Sequence, residues 1–470
     1  GGVRAVPGVA FDKTPQPRTL GHHYTAVAFG PDGNLYAGTR LGHLIRFTVD
    51  ADGAITGSKT FRTVRDRFAG DRIITGIAFS PHASRKKPPV VYFTHGDGRL
   101  INAPDWSSRI ARLSGKHLTT YADLVTGLPR SYRDHLTNQL VFSRDNKAYV
   151  AQGSNSAMGA PDPTWNARPE RLLTGAILEI DVSRIADGQP IDVRTEGVRT
   201  PYNPFAPDAI VKIFATGIRN AYDLVWTRDG KLFAPNNGSA AGGNTPSVTA
   251  PFSKVPPRID AVTRGKYLGP AVPALSAVAA QDDQLFHVER GRYFGHPNPL
   301  RGEYVAGAGN PTAGVDPHEV AEYPVGTRPD RNHRPPAYTF GKNYSPNGII
   351  EYTGTAFGNA LNGALMVVRY SGGDDVLILR RDAKGNVTGA VTGIVGLRGF
   401  VDPVDLVQHP TNGAVYVAEY AGRQITLLRP RETTATPPPA PASPGTPAPR
   451  PPQGPFSTTP VSPAGLIDLI

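Results

Sequence analysis

The chain is 470 residues long, with a formal net charge of +11, 52 glycines, 47 prolines and no cysteine. The missing cysteines exclude disulfides, thiolate metal sites and c-type haem, and no apolar run approaches the length that spans a bilayer as a helix. The charge invites a nucleic-acid reading, but the basic residues are dispersed, their densest cluster (Arg85–Lys87) falls in a hairpin loop, and no recognition motif accompanies them. No nucleic acid and no transmembrane segment are expected.

Gly1–Leu20 reads as an irregular lead-in that can supply an outer strand. One template then recurs: an apolar run, a polar turn and a second apolar run. It appears as YTAVAFGPDGNLYAGT from Tyr24, ITGIAFSPHASRKKPPVVYFTHG from Ile74 and TNQLVFSRDNKAYVAQG from Thr137. AYDLVWTRDGKLFAPNNG follows from Ala221, a looser PNGIIEYTGTAFGNALNGALMVVRY from Pro346, and PVDLVQHPTNGAVYVAEY from Pro403. Each copy is a β-hairpin, with β-branched and aromatic runs closed in most copies by Asp-Gly or Asn-Gly. Further strand-length runs, such as SRIARLSG and TTYADLV before copy three, give each copy partners.

A lone hairpin cannot bury its apolar face, so repeated hairpins imply blades around an axis. The expectation is an all-β fold, a six-bladed β-propeller over residues 1–430. A β-sandwich also uses many short strands, but it does not predict six copies of one hairpin. After copy three, LLTGAILEIDVSRIADG reads as a strand pair. After copy four the repeat lapses, and residues 239–344 read as a rim or cap elaboration. Residues 431–455 are a Pro-rich linker. Residues 456–470, FSTTPVSPAGLIDLI, regain apolar side chains and read either as a docking peptide for a protein partner or second copy, or as a disordered end.

In a propeller the innermost strands line the axis, so positions just before each core run should meet at one mouth. Aligning the copies on AVAF, GIAF, QLVF, DLVW, GIIE and DLVQ puts His22, Arg72, His135, Arg219, Tyr344 and Val401 in one ring. His23, Ile73, Leu136, Asn220, Ser345 and Asp402 form the next. This predicts a polar, mixed-charge site. Asp134 beside His135 is the pattern of a carboxylate orienting an imidazole base. Arg219–Asn220 is either a tie between blades or a holder of negative charge. Asn236–Gly238 is either an ordinary loop or a source of carbonyl ligands for Ca²⁺.

DHLTNQLVFSRDNKAYVAQGSN, LLTGAILEIDVS, IFATGIRNAYDLVWTRDGKLFAPNNG and DDQLFHVERGRYFGHPNP together resemble the glucose/sorbosone dehydrogenases, the soluble aldose-sugar dehydrogenases that use pyrroloquinoline quinone (PQQ). The resemblance implies a six-bladed propeller with PQQ and calcium as cofactors. It implies His135 as base toward the sugar C1 hydroxyl, Arg219 and Asn220 beside the quinone, and Asn237, Gly238, Asp282 and Asp283 near the calcium. Two positions depart from the pattern. Asp71–Arg72–Ile73 stands where the family has Gln-Gly-Gly, and Asp402–Pro403–Val404 stands where it has Arg-x-Arg. Arg72 and Asp402 therefore fall at cofactor positions, with Lys342 and Arg369 on copy five as replacement cations. The implied function is PQQ-dependent oxidation of an aldose or related sugar, passing electrons to an acceptor the sequence does not name, in the periplasm or at the cell surface. Two alternatives stand beside it: a non-catalytic propeller scaffold docking through its tail, and a calcium-dependent lactonase-like hydrolase.

Overall fold

The computed structural model describes residues 6–255 and 267–431; the Pro-rich run and the terminal peptide lie outside the described residues. The fold is the expected six-bladed β-propeller. A first strand, β1 (Phe11–Pro15), precedes blade 1, which is β2 (Tyr24–Phe29), β3 (Leu35–Thr39), β4 (Leu44–Val49) and β5 (Ile55–Phe61). A one-and-a-half-turn helix, α1 (Thr63–Phe68), leads into blade 2: β6 (Arg72–Ala78), β7 (Val91–Asp97), β8 (Ser108–Ser114) and β9 (Thr120–Leu128). Blade 3 is β10 (Thr137–Phe142), β11 (Ala148–Gln152), β12 (Ala176–Ile180) and, after the two-residue β13 (Ile191–Asp192), β14 (Val211–Thr216).

Blade 4 is β15 (Val225–Trp226), β16 (Leu232–Asn236), β17 (Asp283–Val288) and β18 (Tyr338–Gly341). Blade 5 is β19 (Pro346–Glu351), β20 (Leu365–Arg369), β21 (Asp375–Arg381) and β22 (Val387–Val391). Blade 6 is β23 (Pro403–Gln408), β24 (Val415–Glu419) and β25 (Gln424–Pro430). Its fourth strand is β1, paired antiparallel from Phe11 opposite Pro430 to Pro15 opposite Thr426, so the lead-in closes the ring.

The recurring turn residues do what their chemistry allows. Gly33, Asn146, Gly230 and Gly413 stand at φ of 80°, 63°, 81° and 75°, the left-handed conformation that a tight hairpin demands. Flat sheets facing one another bury their apolar faces pairwise. Accordingly, one cluster lies between each pair of neighbouring blades; Leu140, Val150, Leu178, Ile110 and Val125, for example, join blades 3 and 2. A seventh cluster, around Tyr304, Val305, Tyr323 and Val272, lies in the insertions of blade 4.

Two expectations change. The stretch 239–344 is not all rim, because β17 and β18 are the third and fourth strands of blade 4. The elaboration is what lies between and before them, and the long insertions hide the strand spacing that marks the other copies. LLTGAILEIDVSRIADG yields one strand, β12, rather than a pair. A 3-10 turn at Val182–Arg184 follows, and the chain crosses to place β13 parallel to β9 of blade 2.

Candidate functional site

Tyr24, Ile73, Leu136, Tyr222 and Val404, at the starts of the inner strands, join Tyr370 and Tyr420, just past β20 and β24, in one buried cluster. The Tyr222 hydroxyl of blade 4 donates to the Thr25 carbonyl of blade 1 across the axis. Of the expected ring, His135 and Arg219 both lie against Trp165, while Arg72 and the Tyr344 N–H have partners elsewhere.

Arg72 is committed within blade 2: its Nε donates to His95 Nδ1 at 3.0 Å, its Nη2 donates to Ser107 O at 2.8 Å, and its guanidinium lies over Phe68. Asp402 sits in the turn into β23 with φ of 52°, and its carbonyl accepts the Tyr420 N–H. Arg369 makes a two-pronged pair with Asp375 at 2.8 and 2.6 Å. Lys342 is more than half exposed and reaches Asp282 at 3.2 Å.

His135, just before β10, is fully buried. Its Nδ1 is 3.0 Å from the Ser154 carbonyl oxygen and 3.1 Å from Ser154 Oγ. A carbonyl can only accept, so Nδ1 carries the proton and Nε2 presents a lone pair. Nε2 has no hydrogen-bond partner among the described residues. Burial and the Arg219 charge hold this histidine well below its usual pKa, so it is neutral.

Asp134 does not orient His135. Its two oxygens are buried without a hydrogen-bond partner among the other described residues. Burial pushes its pKa up to about 7 against the pull of Arg130 and Arg219. Neighbouring residues at a strand start point apart, and Ser154 from the loop after β11 fills the place instead.

Arg219 lies between strands of blades 3 and 4. Its Nε donates to Ala157 O at 2.8 Å, and its Nη1 is shared by the carbonyls of Asn237 and Gly238, each at 3.3 Å. Burial lowers its pKa to about 10, so it remains a cation. Asn220 Oδ1 accepts from Asn138 Nδ2 at 2.8 Å, tying β10 to the start of blade 4. Gly153 has no room for a Cβ, which would fall 2.7 Å from both Asn220 Oδ1 and His135 Cβ; the glycine lets the backbone after β11 pass close to both residues.

The expected calcium ligands divide. The carbonyls of Asn237 and Gly238 converge on one cationic group, but Asp283 is spent on backbone. Its oxygens accept the N–H groups of Gly238, Tyr344 and Ser345 at 2.8, 2.8 and 3.0 Å, fastening blade 5 to blade 4. Asp282 pairs with Lys342. Among the described residues no group of three or more His, Asp or Glu side chains is arranged to hold a metal.

Sequence reasoning missed Trp165. It closes a 3-10 turn, Pro163–Trp165, its own N–H donates to Asp162 Oδ1 at 3.2 Å, and it is 3% exposed. Its indole lies on the His135 imidazole with ring centroids 4.4 Å apart, and the Arg219 guanidinium stands 5.8 Å from its centre. The signal was a lone tryptophan in a loop of Pro, Asp and Asn, which carries no periodicity. Beside this core, a cavity of about 250 Å³ opens between blade 4 and its insertions, lined among others by Arg219, Gly238, His296, His318, Asp282 and Lys342. Two cations thus face one cavity next to a buried neutral imidazole.

Comparison with known proteins supports the fold and a family likeness in the first half of the chain. A model of the family described as Glucose / Sorbosone dehydrogenase matches residues 20–249, which contain His135, Arg219 and Asn220. Quinoprotein glucose dehydrogenase B of Acinetobacter calcoaceticus is 24% identical over 226 residues, and the match spans 45% of each chain. The PQQ-bound aldose sugar dehydrogenase of Streptomyces coelicolor superposes with a TM-score of 0.53 at 15% identity, covering 91% of this chain and all of that one. A calcium structure of a Trichoderma reesei carbohydrate-active enzyme of family AA12 gives 0.55 at 14%, covering 92% and 99%. The resemblance drawn from the sequence is met in the first half of the chain, and the structural likeness extends the fold to the rest.

Proposed function

We propose that this chain, whose residues 20–249 carry the glucose/sorbosone dehydrogenase pattern, oxidises an aldose or related sugar at C1 with PQQ and calcium, in the periplasm or outside the cell. The observation that carries the reading is the buried, neutral His135 with a free Nε2 lone pair beside the Arg219 cation.

The residues present offer cations for the anionic cofactor and only part of a ligand set for calcium. The carbonyls of Asn237 and Gly238, which Arg219 Nη1 holds, would give calcium two of its roughly six to eight oxygens once that guanidinium turned to the cofactor. Arg219 and Lys342 line one cavity and would bind the carboxylates of an anionic cofactor. Lys342 can leave Asp282, because an exposed ion pair is worth only about 0–1 kcal/mol. Arg369, held by Asp375, is not part of the proposed clamp. Bound PQQ would supply the acceptor for the C1 hydride, made more electrophilic by calcium.

The chain's own residues do the proton work. His135 Nε2 takes the proton of the C1 hydroxyl as the C1–H bonding pair leaves, so the sugar loses two electrons and becomes the lactone. The Ser154 carbonyl accepts from Nδ1–H and stabilises the imidazolium that forms. Trp165 keeps bulk water off the imidazole, and the sugar must take up part of the space the indole covers.

The test is reconstitution of the purified protein with PQQ and Ca²⁺, followed by reduction of an artificial acceptor with a panel of aldoses. Saturable turnover that disappears in His135→Gln is expected. Hydrolysis of a lactone without any acceptor, or no cofactor binding at micromolar PQQ, would overturn the reading.

A further inference from the structure

We infer that Glu170 is a positioning residue for His135, acting through the loop that carries Ser154. The two side chains do not touch. Glu170 lies in the segment between β11 and β12, is 3% exposed, and spends both oxygens on four donors. Oε1 accepts from Asn155 N–H at 2.7 Å and Thr174 Oγ1 at 2.8 Å; Oε2 accepts from Ser156 Oγ at 2.7 Å and meets His296 Nε2 at 2.7 Å. Burial alone would raise its pKa, but His296 and these hydrogen bonds together bring it below the usual value, so the group is a carboxylate.

Two of the four donors belong to the residues that follow Ser154. Ser154 Oγ in turn donates to Ser156 O at 2.8 Å, and Ser156 Oγ accepts Gly159 N–H at 2.8 Å. Ser154 N–H is held by Arg219 O at 2.9 Å and Gly153 N–H by Leu136 O at 2.9 Å. The strap is fixed at both ends, and Glu170 anchors it through Asn155 and Ser156. With the strap in place the Ser154 carbonyl has one orientation, toward His135 Nδ1, and the proton is held off Nε2. His296 comes from beyond β17 and lines the cavity beside Arg219, so the same carboxylate joins the cavity wall to the loop behind the imidazole. A charged, four-bonded carboxylate costs desolvation that a neutral residue would avoid; the return is a fixed geometry for two segments 126 residues apart.

The inference rests on His135 being the proton acceptor of the proposed reaction, but its test does not use that reaction. Histidine-selective ¹⁵N labelling and long-range ¹H–¹⁵N spectra of the whole chain report the His135 tautomer, with His135→Gln for assignment. The unsubstituted protein is expected to show the Nδ1–H tautomer. In Glu170→Gln, which keeps the volume but loses acceptor capacity for Ser156 and His296, the Nδ1–H to Nε2–H ratio should fall by about tenfold, the scale of one buried hydrogen bond. Ser156→Ala removes one of the four donors without burying a charge and should shift the ratio the same way by less; it decides the matter if Glu170→Gln fails to fold. An Nε2–H tautomer in the unsubstituted protein, or an unchanged ratio in the folded variants, overturns the inference. Absence of sugar oxidation with the tautomer shift present would sink the proposed function and leave this positioning role intact.

Discussion

His135 Nδ1 lies 3.0 Å from the carbonyl oxygen of Ser154, a residue from the end of the next strand, and that contact decides which imidazole nitrogen can act. With Nε2 as the free base, His135→Gln should lower turnover by about 10²–10⁴-fold and leave cofactor affinity within a few-fold. Burial and Arg219 keep the histidine well below its usual pKa, so the acid limb of the rate profile should lie on the acid side of the ordinary histidine value. Stopped kinetics across pH in reconstituted protein checks both.

Trp165 is the cover on that base. Trp165→Ala should open His135 to solvent and to acylation by diethyl pyrocarbonate, which peptide mass mapping reads directly. The same change removes a buried indole and should cost about 3–5 kcal/mol in denaturant unfolding. A His135 that remains protected in the folded variant would show that another element covers it.

The two cation candidates on blade 5 and its approach should separate. Lys342→Ala should weaken binding of PQQ by about tenfold, as expected for one charged hydrogen bond. Arg369→Ala should leave that affinity within about twofold and instead lower stability by about 1 kcal/mol through loss of the Asp375 pair. Calorimetric titration with PQQ and a melting curve for each variant distinguish them.

Near the axis, Asp223 of blade 4 and Asp405 of blade 6 share a hydrogen bond, and each carries an N–H of the following blade: Ile349 at 2.9 Å and Val27 at 2.9 Å. Gly348 makes room, since a Cβ there would stand 2.7 Å from the Asp405 Cα. Burial first, and for Asp223 the neighbouring carboxyl second, raise both pKa values, Asp405 to about 7. A carboxyl raised above its unfolded value contributes stability below about pH 4 that is lost as pH climbs through the folded value. Stability should therefore decline between roughly pH 4 and pH 7, by up to about 1.4 kcal/mol per pH unit for each proton held. Asp405→Asn should flatten that slope whatever its own melting midpoint. Asp134, also at about 7, adds to it, and the double variant should be flatter still.

Ring closure depends on β1. Phe11 is fully buried, with Phe357 at 5.2 Å and Tyr352 at 6.3 Å between ring centres. Phe11→Ala should cost about 3–5 kcal/mol, read as a drop in the denaturant midpoint, with the loss concentrated in blade 6 by hydrogen exchange.

The blade count was legible because each hairpin writes its own pattern locally: AVAF, PDG and LYAGT name two strands and the turn between them without help from elsewhere. His135, Arg219 and Asn220 could be marked because they stand at fixed offsets from those runs. The partner of His135 could not, since Asp134 is its neighbour in sequence while Ser154 is 19 residues away, and only the path of the loop after β11 brings Ser154 to Nδ1. Arg369 looked like a spare cation until β21 placed Asp375 opposite it in register.

By itself the sequence determined the propeller, its six blades, its closing strand and the residues from which a site could be built, because apolar alternation and turn chemistry act over a few residues. The tertiary structure alone decided that Arg219 comes beside His135 while Arg72 and Arg369 are held by other partners, that Trp165 covers the imidazole, and that Glu170 and His296 meet. Those outcomes depend on which side chains burial brings together from distant segments, and no local pattern encodes that.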